Sequence, residues 1–177
     1  MNDVLEETDA VAGPDLYYQV VQWMNREAEL LDDRRERDWL EGMVSQDVVY
    51  QVPVRITVER ARGMGFLKGN YHLNERYGSL MSRVARNETG YAWAEDPPSR
   101  SRHFVTNIRA SEPIDGNIKV RTNLLLVRTR NEQTTPQLLS AERHDVLWFE
   151  VGILRLAQRI VLLDHTAIGT HNFAILF

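Results

Sequence analysis

Between residues 102 and 164 the chain reads as four consecutive strands, while upstream of residue 87 all but one ordered segment reads as helix. The strand-like stretches fall at about 102–111, 117–130, 138–150 and 153–164. Asp115-Gly116 and Glu150-Val151-Gly152 separate them as hairpin turns. Helices and one strand first, then an antiparallel run, confine the chain to the α+β class. The expected architecture is a curved, cone-like antiparallel sheet with three helices packed on one face.

The helices can be placed from their punctuation. Pro14 suits a first helical position and Asp15 a first turn. Leu16, Val20, Trp23, Met24, Ala28 and Leu31 then recur at helical spacing, which predicts an amphipathic helix over 14–32. Asp33 with Glu36 three residues on reads as a capping box opening a second helix, with Trp39, Leu40 and Met43 as its apolar stripe. Val48 to Val58 alternates as a half-buried strand. Pro53 cannot donate to a ladder, so that strand is expected at an edge or bulged there. Residues 59–70, with Gly63, Gly65 and Gly69, read as a loop, and Tyr71 to Arg86 as the third helix. Residues 87–100, with Pro97-Pro98, read as an irregular lead-in.

The acidic stretch 1–13 lacks an apolar period and is expected to be a flexible tail, leaving 14–177 as one domain. It also lacks the basic-then-apolar order of a signal peptide. No apolar run approaches the roughly 20 residues that span a bilayer, so a cytoplasmic chain without membrane contact is expected. The formal charge of −4 argues against nucleic acid as partner. Of 21 basic residues only Lys68 and Lys119 are lysines. Arginine's planar fork suits partly buried or interfacial ion pairs, although base composition explains the same bias.

Chemistry-bearing motifs are sparse. The chain has no cysteine, which removes disulfides, thiolate-held clusters and cysteine nucleophiles. Gly63, Gly65 and Gly69 have the wrong spacing for a dinucleotide loop. The five histidines form no tight ligand pair; an iron site could be assembled only from distant residues such as His103, His144 and Asp145, and no spacing supports it. No catalytic, cofactor-binding or metal-binding residue is therefore expected. Two strands are nonetheless unusual. In 140–146, Glu142 and His144 point to one face, and Arg143 and Asp145 to the other. His103, Asn107 and Arg109 share a face of 102–110 if that strand is regular. Charge on both faces admits three readings: a polar cavity on the concave side, an interface built of ion pairs, or a solvated face. The interface reading nominates Arg143, Asp145, Glu142, Arg109 and Arg102 for cross-chain pairs. Finally, Phe173-Ala174-Ile175-Leu176-Phe177 is too apolar to be left in water. Because both of its faces are apolar, it is expected between the sheet and a neighbouring subunit, so that deleting 173–177 impairs assembly rather than folding.

Three blocks resemble the small (beta) subunits of Rieske non-heme-iron aromatic-ring-hydroxylating dioxygenases. They are the runs from Asp38 to Leu40 and Asp47 to Arg55, from Trp93 to Ile108, and from Ser140 to Leu147. The resemblance extends over about 15–177. It implies the curved-sheet fold also seen in cystatin, nuclear transport factor two and scytalone dehydratase. It implies a non-catalytic small subunit that scaffolds large (alpha) subunits in a three-plus-three assembly, with the small subunits self-associated as a trimer. It also places the Rieske 2Fe-2S cluster and the mononuclear iron on the large subunit and none on this chain. Electrons would come from NAD(P)H through a separate reductase, and O₂ would be added to an aromatic ring in catabolism. The turn 149–154 is more apolar than the family leads one to expect in an exposed hairpin. The competing reading is a free-standing cone-fold isomerase or dehydratase, for which Asp47, His103 and His144 are the acid–base candidates.

Overall fold

In a computed structural model, which describes residues 9–59, 63–88, 98–168 and 175–177, Pro14 opens helix α1 (Pro14–Asp32). Its buried face is Val20, Trp23, Met24, Glu27, Leu30 and Leu31. Arg34 takes a left-handed φ of 58°, and the amides of Arg34 and Arg35 return to the carbonyls of Leu31 and Leu30. That is a Schellman ending. Asp33 closes α1 here, so the capping box expected from Asp33 and Glu36 does not form. Helix α2 (Glu36–Met43) starts after Arg35 with no side-chain cap and buries Trp39, Leu40 and Met43.

Strand β1 (Val44–Arg55) follows directly. The last five residues of the expected loop and the first third of the expected third helix are instead strand β2 (Phe66–Glu75). It is an edge strand, exposed along most of its length with only Leu73 buried, so it carries no alternation to betray it. Its pairing with β1 slips at Pro53, which thus sits at a bulge in an inner strand. Helix α3 (Tyr77–Glu88) begins six residues later than expected, with the Ser79 hydroxyl taking the Arg76 amide. Strands β3 (Arg100–Ala110), β4 (Asn117–Thr129), β5 (Gln137–Glu150) and β6 (Ile153–Leu163) complete the chain close to their expected bounds. Both tight hairpins have two left-handed central residues, Asp115-Gly116 and Val151-Gly152.

The sheet order is β2-β1-β6-β5-β4-β3. It is mixed: β1 runs parallel to β6, and every other neighbouring pair is antiparallel. Helix α1 lies against β3, and α2 and α3 cover the β1–β6 side, so one face of the sheet encloses the core. Asp9–Gly13, read from sequence as part of the tail, is tied to the β3–β4 end. Val11 bridges Ser111, the Ala12 amide donates to the Ala110 carbonyl, and Asp9 pairs with Lys119. Two bulges decide which side chains face the core. At Asn107 (φ 53°) the β3 register slips between Thr106 and Arg109, so His103 and Ala110 are buried while Asn107 and Arg109 are exposed. The shared face of His103, Asn107 and Arg109 therefore does not exist. On β6 the register slips at Ala157, and the inward positions change from Leu154 and Leu156 to Arg159, Val161 and Leu163.

Candidate functional site

The concave face carries a row of polar side chains where a core would ordinarily be apolar. Tyr50 on β1, Arg159 on β6 and Asp145 on β5 are successive cross-strand partners. The Arg159 guanidinium lies 5.9 Å from the Tyr50 ring centroid. It grips Asp145 bidentately, Nε to Oδ1 and Nη2 to Oδ2, both at 2.8 Å. From α1, Glu27 reaches down to the same guanidinium, accepting Nη1 at 2.9 Å and Nη2 at 2.7 Å. Arg143 joins at Glu27 Oε2 (3.2 Å), with its other nitrogens donating to the Thr122 hydroxyl and the Met24 sulfur. The Trp39 indole supplies a further donor to Glu27 at 3.0 Å. All four charged side chains are at most 1% exposed, and they form a neutral set of two arginines and two carboxylates.

Burial works against the ionised form of Glu27, but attraction from Arg159 and Arg143, with their hydrogen bonds, outweighs it and holds the carboxyl below the ordinary value. Burial likewise works against the Arg159 cation; Asp145 and Glu27 reverse the sign and keep it firmly charged. For Arg143, burial and the neighbouring Arg159 prevail and weaken the cation. Burial raises the Tyr50 hydroxyl, so it serves as a neutral donor and acceptor.

The C-terminal residues close this interior. Ile175, Leu176 and Phe177 are buried at 8, 4 and 1% exposure within the chain's own core. No neighbouring subunit is needed to cover these three, which corrects the expectation from sequence; Phe173 and Ala174 lie outside the described residues. The space that sequence reasoning sought outside the domain is the hollow between the curved sheet and α1. Beside it, Asp32 Oδ1 lies 2.6 Å from His103 Nδ1, and His103 Nε2 lies 3.0 Å from the Leu176 carbonyl. Both ring nitrogens therefore face oxygen atoms, one from α1 and one from the C-terminal segment.

The sequence candidates are thus dispersed. Asp47 is exposed on β1. His103 is bonded at both nitrogens against α1. His144 lies on the other face of the sheet beside Glu142 at 3.1 Å. His144 and Asp145, adjacent on β5, point to opposite faces and do not converge on one ion. Among the described residues no group of three His, Asp or Glu side chains is placed to hold a metal. Arg143 and Asp145, nominated for cross-chain pairs, are sealed inside the chain. Glu142 and Arg109 meet on the outer face with Arg121, whose Nε reaches Glu142 at 2.7 Å, and Arg102 pairs with Asp32 at 3.4 Å. Sequence reasoning missed Glu27 and Arg159. Glu27 did leave a signal, an acid in phase with Val20, Met24 and Leu31 on an otherwise apolar stripe.

A curved sheet closed on one face by three helices around a polar row defines the cone-shaped α+β class. Within that class, residues 26–170 match the family model for the ring hydroxylating beta subunit, and the chain belongs to that family of ring-hydroxylating dioxygenase subunits. A chain of naphthalene 1,2-dioxygenase, solved with indole bound in the active site, superposes with a TM-score of 0.82 at 27% identity. The match covers 94% of this chain and 88% of that one. The beta subunit of benzoate 1,2-dioxygenase from Burkholderia mallei has the same fold (TM-score 0.67, 20% identity, 83% and 89% covered). So does a protein assigned as scytalone dehydratase from Novosphingobium aromaticivorans (0.61, 11%, 85% and 87%). No helix among the described residues is long and apolar enough to cross a membrane.

Proposed function

We propose that the chain is the non-catalytic small subunit of the terminal oxygenase of a multicomponent, cytoplasmic aromatic-ring-hydroxylating dioxygenase. It scaffolds large subunits in a three-plus-three complex, its own copies forming a trimer. The large subunit carries the Rieske cluster and the mononuclear iron, and a separate reductase delivers electrons from NAD(P)H. The donor set of this chain does not fit a Rieske centre, which takes two thiolates, because it has no cysteine.

The observation that carries the reading is the closed interior. A free-standing cone-fold isomerase needs an acid or base at the bottom of an open cavity. Here the two carboxylates of the polar row, Glu27 and Asp145, are saturated by arginine, and Ile175–Phe177 fill the space above. The outer face of β3–β5 supports a scaffolding role. Phe104, Leu125 and Leu138 are exposed there, beside the Arg109–Arg121–Glu142 cluster. Apolar side chains flanked by ion-pairing groups form the kind of surface that subunits bury.

The test is co-expression with the large subunit, native mass of the complex, and metal analysis of each separated chain. A three-plus-three mass with iron confined to the large chain is expected. Stoichiometric iron bound by this chain's own side chains, or isomerase or dehydratase turnover by this chain alone, would overturn the reading.

A further inference from the structure

Three side chains from three strands converge on the backbone of Leu176 and Phe177. From β3, His103 Nε2 donates to the Leu176 carbonyl at 3.0 Å. From β1, the Tyr50 hydroxyl accepts the Phe177 amide at 2.7 Å and donates to the Phe177 terminal carboxylate at 3.0 Å. From β6, Arg159 Nη1 donates to the same carboxylate oxygen at 2.7 Å. The three residues join no strand ladder, and these side chains grip their backbone. The floor beneath is complete without them. Arg159 has two hydrogen bonds to Asp145 and two to Glu27, Arg143 has Glu27 and Thr122, and His103 is fixed by Asp32. Removing the segment would break none of these ion pairs. It would uncover an imidazole nitrogen, a phenol and a guanidinium N–H around a space lined by core side chains.

We propose that this interior is a preformed binding site for a hydrophobic peptide segment carrying an aromatic residue, filled in the structure by the chain's own Ile175–Phe177. The ligand class follows from the donors and acceptor. Three donors read one peptide carbonyl and one carboxylate oxygen, and one acceptor reads an amide N–H, which is the pattern of the C-terminal end of a peptide. The depth of Phe177, the most buried of the three side chains, calls for an aromatic ring at its position. The proposal is independent of the subunit reading, since it concerns only groups within this chain.

The experiment compares the purified full chain with a chain ended after Ala174, using N-acetyl-Ile-Leu-Phe as probe and N-acetyl-Ile-Leu-Lys as control. Millimolar phenylalanine peptide is expected to raise the thermal midpoint of the shortened chain and to leave the full chain unmoved, because its site is filled. Tyr50→Phe in the shortened chain should weaken binding by about fivefold for each of the two hydrogen bonds lost. If the shortened chain does not fold alone, refolding with the phenylalanine peptide should recover native circular dichroism and the lysine peptide should not. Equal effects of the two peptides, equal shifts in full and shortened chains, or no shift and no recovery would overturn the proposal.

Discussion

Replacing Glu27 by glutamine keeps the side chain's shape and removes its charge from the centre of the fold. Arg159 would retain Asp145, but Arg143 would lose its carboxylate and keep only the Thr122 hydroxyl and the Met24 sulfur as direct partners. The new carboxamide N–H₂ would also face guanidinium donors. Breaking a buried pair by removing one partner costs about 3–5 kcal/mol, because the other charge stays buried and uncompensated. For a chain of this size each kcal/mol moves the thermal midpoint by about 2–4 °C, so Glu27→Gln should melt roughly 6–20 °C below the parent. Urea unfolding followed by tryptophan fluorescence measures the free energy directly, and an unchanged m-value would show that the denatured state is not the cause. The pH dependence supplies a second check. The Glu27 carboxyl is held below its ordinary value in the folded chain, so its contribution is complete above about pH 4.5 and is lost as the pH falls through the folded value. The gap between parent and variant should therefore narrow on acidification. Adding Arg143→Met to Glu27→Gln removes the stranded cation and should recover much of the loss. A Glu27→Gln chain within about 1 kcal/mol of the parent at pH 7, with an unaltered acid profile, would refute the view that this cluster is a closed, mutually dependent set.

Val151 is fully exposed at a φ of 50°, a conformation that costs a β-branched residue about 1–2 kcal/mol. Val151→Asn should therefore raise the urea midpoint, and a fall would reveal a contact made by the valine. At Gly65 (φ 78°) an added Cβ would meet the Ile56 carbonyl oxygen at 2.3 Å, whereas at Gly63 it would meet nothing within 4 Å. Gly65→Ala should thus destabilise the β1–β2 connection clearly more than Gly63→Ala, a difference that hydrogen exchange at the Ile56 amide would read. Leu126→Ala, at a position without exposure, should cost about 2–5 kcal/mol in the same urea assay.

The features legible in the sequence were those settled by near neighbours. Pro14 and the apolar period set α1. The Asp115-Gly116 and Val151-Gly152 dipeptides set both tight hairpins, because a two-residue turn needs left-handed backbone at its centre. The strand-like run between these turns located β3 to β6 to within two residues. The face of each side chain was another matter. A strand has a period of two, so one extra residue reverses its inward set, and the bulges at Asn107 and Ala157 do this without any compositional mark. The exposed strand β2 had no apolar face to show, and its place came from the unpaired edge of β1. The chain order indicated charges on both sides of β5, but only the packing of α1 over the sheet brought Glu27 to Arg143 and Arg159 and turned a suspected interface into an interior. The same closure gave Ile175–Phe177 a place inside the chain. A hollow formed by a curved sheet and a helix distant in sequence is a property of no local segment, so which groups fill it is decided only when the tertiary fold forms.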